Sequence, residues 1–156
     1  MNSYKSLSER RHAIVALLLA GLILVTGCSK ATAGEPAPAS LEGTQWALVS
    51  YANSEGKTVS VLPGTEVTAG FTADQVAGSA GCNSYGASYQ VEGDVMTVGP
   101  VVATLMACAE PDGIMVQERD FLTALEAATA YQVDGDTLTL MDANGARVAT
   151  FTQAQG

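Results

Sequence analysis

The feature that most constrains this chain is a succession of short apolar-alternating runs, each closed by turn residues, with a single segment long enough for a helix. Thr44–Tyr51, Val67–Phe71, Gln75–Ala80 and Ala87–Val91 read as strands. Val95–Val98, Val101–Thr104, Tyr131–Val133, Thr137–Met141 and Arg147–Phe151 follow in the same manner. Alternation of apolar and polar residues over four to eight positions is the signature of a strand with one buried face. Asn144-Gly145, between the last two runs, signals a two-residue type I′ hairpin. Strands this short, joined by tight turns, predict a mainly β (α+β) fold: a small antiparallel β-barrel-like domain with one α-helix.

The helix is predicted over Gly113–Thr129, with Asp112 placed to cap it and Pro111 before the cap. At 100° per residue, Ile114, Phe121, Leu125 and Ala128 share one stripe, with Met115 and Leu122 on its flank. Gln117, Asp120 and Thr123 fall on the opposite side. Glu118 lies inside the apolar arc. Its carboxylate either reaches past the sheet edge to water or a backbone N–H, or is a buried acid with a role.

One repeat is visible. Tyr89-Gln90-Val91-Glu92-Gly93-Asp94-Val95-Met96-Thr97-Val98 matches Tyr131-Gln132-Val133-Asp134-Gly135-Asp136-Thr137-Leu138-Thr139-Leu140. Both copies read strand, Gly-Asp turn, strand. Either the pair frames a site, or the same turn chemistry has arisen twice.

Upstream of these runs the pattern changes. Lys5, Arg10 and Arg11 precede an uncharged core from Ala13 to Val25, which closes on Thr26-Gly27-Cys28. Positive start, short apolar core and small residues before the cut are the three parts of a secretory signal. The closing Val25-Thr26-Gly27-Cys28 resembles the lipobox of bacterial lipoprotein signals, which implies cleavage before Cys28 and acylation of its thiol. The apolar run is shorter than the ~20 residues of an uninterrupted membrane span. Ser29–Ser40 is small, polar and punctuated by Pro36 and Pro38, so it reads as an extended tether. The expected organisation is a signal peptide over 1–27, a lipidated Cys28 with tether over 28–40 and one folded domain over 41–153.

Cleavage of residues 1–27 leaves 129 of the 156 residues, enough for a core without metal. Glu9 is lost from the 16 acidic residues, and Lys5, Arg10 and Arg11 from the 7 basic ones. The remaining 15 acidic and 4 basic residues give a net charge of −11. Nucleic acid and anionic lipid surfaces demand a basic footprint, so both are disfavoured as partners. The membrane link is then the lipid at Cys28. His12 is the sole histidine and lies in the segment to be removed. Histidine-based triads and histidine-ligated metals are thereby excluded from the mature chain. No cofactor and no enzymatic activity are expected.

With Cys28 acylated, Cys82 and Cys108 remain. Two cysteines in an oxidising compartment most simply pair. A reactive thiol is the alternative, and two thiolates are too few for a metal site. Gly78–Gly81 permits close backbone approach, expected against the helix. Met106 is expected to fill a gap beside the bridge.

Leu41-Glu42-Gly43-Thr44-Gln45-Trp46-Ala47-Leu48, Gly78-Ser79-Ala80-Gly81-Cys82-Asn83-Ser84-Tyr85, Thr104-Leu105-Met106-Ala107-Cys108 and Glu118-Arg119-Asp120-Phe121-Leu122-Thr123-Ala124-Leu125 occur in that order. Together with the final Leu138-Thr139-Leu140 hairpin they resemble the META/HslJ-type domain family over Leu41–Phe151. The resemblance implies a small β-barrel-like fold with one helix, often on an envelope lipoprotein. Some members are linked to heat shock, antibiotic tolerance or secretion, and the family supplies no catalytic residues.

The functional expectation is a tethered, non-catalytic envelope module that binds a protein or small molecule under stress. A lipocalin-like carrier of an apolar ligand and an inhibitor of a secreted hydrolase are the alternatives. The cluster around the bridge reads first as a structural clasp, in which Tyr85 is a packed aromatic. The alternative is a binding surface built on that clasp from Asn83, Tyr85 and Glu118, with Asn83 fixing the turn and Tyr85 presenting part of its ring outward. Ser29 stands where an aspartate would be associated with inner-membrane retention. The expected address is the outer membrane of a diderm envelope, or the outer face of the plasma membrane in a monoderm. Intact mass of membrane-extracted protein should show cleavage before Cys28 and added acyl chains. Equal cleavage and membrane retention of Cys28→Ala would reject this.

Overall fold

The computed structural model describes residues 39–154. The signal segment, Cys28 and the tether up to residue 38 lie outside the described residues. The strands are β1 (Gln45–Ala52), β2 (Thr58–Ser60), β3 (Thr68–Phe71), β4 (Gln75–Ser79), β5 (Ser84–Glu92), β6 (Val95–Val98) and β7 (Val102–Ala103). After the helix α1 (Ile114–Glu126) come β8 (Ala130–Asp134), β9 (Thr137–Met141) and β10 (Arg147–Gln153). All pairings are antiparallel, in the order β10-β9-β8-β6-β5-β4-β3-β1, and β10 pairs again with β1. That last pairing, from Trp46↔Gln153 to Tyr51↔Ala149, closes an eight-stranded barrel and leaves these strands no free edge. β2 lies on the outer end of β1, and β7 on β5.

Alternation along each strand delivers the core. In β1, Trp46, Leu48 and Tyr51 are buried, the phase slipping by one residue at the bulge between Leu48 and Ser50. Trp46, Phe71, Met96, Leu138, Leu140 and Phe151 fill the interior, each almost fully buried. Phe121 of α1 enters among them. Its ring meets Tyr85 edge-on at 5.5 Å and Phe151 at 6.2 Å. Such pairs contribute ~0.5–1.5 kcal/mol each beyond area burial. At the start of the domain, Trp46 Nε1 donates to Thr44 Oγ1 at 2.7 Å, and that hydroxyl donates to the Leu41 carbonyl at 2.5 Å. This chain gives the Leu41–Trp46 segment its structural reason.

The structure departs from the sequence reading at several boundaries. The helix begins at Ile114, and Asp112 makes no capping bond. Gly113 occupies the cap at φ 86°, and Ile114 N–H donates to the Pro111 carbonyl in a backbone turn. The helix stops at Glu126 because Thr129 is taken by the sheet, donating to Met141 and accepting from Met96. Gln117 and Asp120 are buried, where the stripe placed them opposite the core. The Asn144-Gly145 pair is not the centre of a two-residue turn. Gly145 N–H donates to the Asp142 carbonyl, so Ala143 and Asn144 are central and Gly145 follows at φ 76°. The Asp142 carboxylate accepts from Asn144 N–H and Ala146 N–H, which lowers its pKa. Asn53 builds the same turn before β2, a strand the sequence reading omits.

The repeated segments form two hairpins of identical register. Tyr89↔Val98 to Glu92↔Val95 in one matches Tyr131↔Leu140 to Asp134↔Thr137 in the other. Gly93 and Gly135 supply positive φ at equivalent turn positions.

Close approach of strands accounts for Gly78. A Cβ built there would lie 2.1 Å from the Thr68 carbonyl oxygen, which is backbone and cannot yield cheaply. At Gly86 the nearest atoms are 3.9 Å away. Gly78→Ala is therefore expected to cost about 2–3 kcal/mol in thermal or urea melts, and Gly86→Ala less than ~1 kcal/mol. Equal losses at the two positions would contradict this packing.

Candidate functional site

The residues singled out from sequence converge at one end of the barrel, where the β4–β5 turn, the first turns of α1 and the loop after β7 meet. Gly81 bends that turn at φ 107°, and a Cβ there would press on the Gln117 side chain at 3.0 Å. The close approach expected of Gly78–Gly81 is thus to β3 at one glycine and to the helix at the other.

Asn83, 1% exposed, is the centre of the assembly. Its backbone N–H donates to Glu118 Oε2 and its Nδ2 to Glu118 Oε1, both at 2.8 Å. The same Nδ2 donates to the Met106 carbonyl at 3.0 Å. Its Oδ1 accepts from Met106 N–H at 2.7 Å and from Thr104 Oγ1 at 2.8 Å. Every hydrogen-bonding position of the amide is engaged. Glu118 is one of two buried acids of the helix, and its two oxygens are satisfied by one residue of a distant turn. The other buried polar residues of the helix act alike. Gln117 accepts from Leu62 N–H at 2.7 Å and donates to Thr65 Oγ1, and Asp120 accepts from Ser54 N–H. Each helical side chain thereby fastens a different loop.

Cys82 and Cys108 form a disulfide beside this network, with Cα atoms 5.9 Å apart. The cysteines are 26 residues apart in sequence, and for such a loop the chain-entropy model gives ~3–4 kcal/mol.

Tyr85 is not on the surface. The residue is 4% exposed, its ring lies edge-on to Phe121, and its hydroxyl donates to the Thr68 carbonyl at 2.8 Å. Burial pushes the pKa of that hydroxyl well above the usual tyrosine value. The outward-facing ring expected from sequence is therefore corrected. An aromatic at the second position of a strand that pairs on both sides must point either wholly in or wholly out, and the helix covers the inner side. Asn83, Tyr85 and Glu118 are the support of a surface, and the surface is elsewhere. Leu105 is 98% exposed and Met106 59% exposed. Met106 is thus no gap-filler; its backbone is held by Asn83 while its side chain faces solvent. Two large apolar residues in a loop bracketed by a strand and a cysteine were the available signal.

A concavity lies towards the other end of β5. Tyr89 and Tyr131, the matching tyrosines of the two hairpins, line a cleft of about 170 Å³ with Leu41, Glu42 and Ala73. Their hydroxyls donate to the Thr72 and Ala39 carbonyls. Ligand pockets are commonly ~300–1,000 Å³. This cleft is smaller, and its polar tips are occupied, Tyr131 fastening the chain where it enters the barrel and Tyr89 the turn between β3 and β4. Among the described residues no three His, Cys, Asp or Glu side chains converge as metal ligands.

Removing the amide in Asn83→Ala is expected to cost ~2–4 kcal/mol, because buried partners in the loop and on Glu118 lose their bonds. Tyr85→Ala should cost ~3–5 kcal/mol as a core aromatic, and Tyr85→Phe only ~1 kcal/mol. Urea melts of the three variants check this ranking.

A META domain family model matches residues 39–155, and the chain belongs to that family. The chain is similar to a protein from Burkholderia xenovorans solved by NMR, at 26% identity and TM-score 0.60, over 74% of this chain and 85% of that one. A crystal structure of a DUF4847-family protein from Bacteroides vulgatus shares the fold at 15% identity and TM-score 0.55, over 74% and 96% of the two chains. No curated protein matched the sequence.

Proposed function

We propose, from membership of the META-domain family, that this chain is a lipid-tethered, non-catalytic envelope protein that binds a protein partner through the Thr104–Cys108 loop. The observation that carries the reading is that loop itself: its apex, Leu105, is almost wholly exposed, while its backbone is fixed by a buried asparagine and a disulfide. Leu105 and Met106 form an adjacent pair of exposed apolar side chains on a fixed backbone, and contiguous exposed apolar surface of this kind favours recognition. Because the loop is already ordered, docking loses little further conformational entropy.

Placement supports the same reading. The chain enters the barrel beside the Tyr89–Tyr131 cleft, near the far end of β5, whereas the loop lies beside Ser84 at its start. Tyr89 stands five residues beyond Ser84, so at ~3.3 Å per residue these points are roughly 17 Å apart along the strand, and the loop lies away from the point of entry. The carrier alternative gains nothing from an interior filled by Trp46, Phe71, Phe121 and Phe151. The stress association and the envelope address rest on the family resemblance and the signal segment.

A photo-crosslinking residue replacing Leu105, in the lipidated protein in its native membrane, is expected to give a discrete adduct. The same residue replacing Gln90, exposed on the barrel wall, should not. Equal yields at both positions, or none at Leu105, reject the reading.

A further inference from the structure

We infer that the Thr104–Cys108 loop acts as a substrate-like inhibitory loop for a serine endopeptidase with an apolar primary pocket, and that Leu105 is the side chain that enters it. The inference rests on the reading of this loop as the docking surface and names the class of partner.

An endopeptidase binds its target as an extended segment, taking one side chain into a pocket and pairing with the backbone beside it. Residues 104–109 belong to no helix or strand, and the apex side chain is 98% exposed. Leu105 N–H and C=O enter no hydrogen bond among the described residues, so both are free to pair with a partner's edge. The residues on either side are not free. Thr104 N–H donates to the Ser84 carbonyl at 3.0 Å, and Thr104 Oγ1 donates to Asn83. Met106 N–H and C=O are both held by the Asn83 amide. Cys108, two residues on, is bonded to Cys82. One buried asparagine therefore spans the apex from beneath, bonding the residue before it and the residue after it.

This arrangement separates an inhibitor from a substrate. Hydrolysis of the Leu105–Met106 bond would add one water, leaving a carboxylate on Leu105 and an amine on Met106. In an ordinary substrate the two new ends diffuse apart. Here the Thr104 side stays fixed by Ser84 and Asn83, and the Met106 side by Asn83 and the disulfide. The ends remain in place, product release is blocked and the peptide bond can re-form by loss of the same water. Glu110 and Asp112, both exposed, follow the loop. They favour a partner whose rim beside the cleft is basic.

The test uses the full-length protein in detergent with chymotrypsin and subtilisin, which accept leucine, and with trypsin, which requires a cationic side chain. The wild type is expected to inhibit at least one of the first two and not trypsin. Leu105→Arg should weaken that inhibition by about 100-fold and confer inhibition of trypsin, since the pocket residue dominates such interfaces. Leu105→Gly should inhibit neither. All three proteins should melt alike, because Leu105 packs against nothing. Absence of inhibition by wild type at ~10 µM overturns the inference. So does inhibition indifferent to Leu105→Arg, or rapid cleavage at Leu105–Met106 with return of full protease activity. A crosslink at Leu105 in the membrane together with no inhibition would overturn the endopeptidase and leave the docking surface standing.

Discussion

The bond between Asn83 and Glu118 is the contact on which the rest of this end of the molecule depends. A carboxylate on the inner face of a helix is costly unless its lone pairs are met. Here one residue meets both oxygens, one through its main chain and one through its side chain. That fixes the rotation of the helix about its axis, because Glu118 must face the β4–β5 turn. With the rotation set, Phe121, one turn on, points into the barrel between Tyr85 and Phe151. The remaining valences of the same amide hold the loop after β7. Helix, turn and loop are thus registered to one another by a single side chain.

The closed barrel gives that arrangement its setting. Eight strands pair around a ring, so little backbone is left for a partner to extend except at the loops. The interior is filled by large side chains, which removes the space an internal ligand would need. Recognition is left to the ends. One end is occupied by the incoming chain and two tyrosine hydroxyls; the other is covered by the helix and bears the apolar loop.

The strand pattern was legible because each strand has one buried face, and period-two alternation records that directly. The disulfide was legible from the expected export and the cysteine number. The repeated hairpins were visible too, and the structure gives them identical register without making a sizeable pocket between them. The polar face of the helix was misread for a physical reason. Gln117 and Asp120 are polar, and a helical wheel assigns polar residues to water, yet loops fold over this helix and take those side chains as partners. Tyr85 was misread likewise, since its hydroxyl suggested a surface and finds instead the Thr68 carbonyl. Met106 went the opposite way. Apolar residues beside a disulfide suggest packing, and nothing local in the sequence says that the backbone beneath them is held so that their side chains face out.

The pairing of β1 with β10 has a consequence for how the molecule comes into being. The first and last strands of the domain are neighbours, with Trp46 opposite Gln153. Until the final strand is present, β1 and β9 each keep an open edge along the positions it pairs, and Trp46 and Leu138 lack part of their cover. Contacts of such wide sequence separation form slowly, because the loop they close must be ordered first. The ring is therefore all or nothing with respect to its C-terminus. A polypeptide released one strand short would resemble an open sheet with two sticky margins, and quality control has a clear feature by which to recognise it.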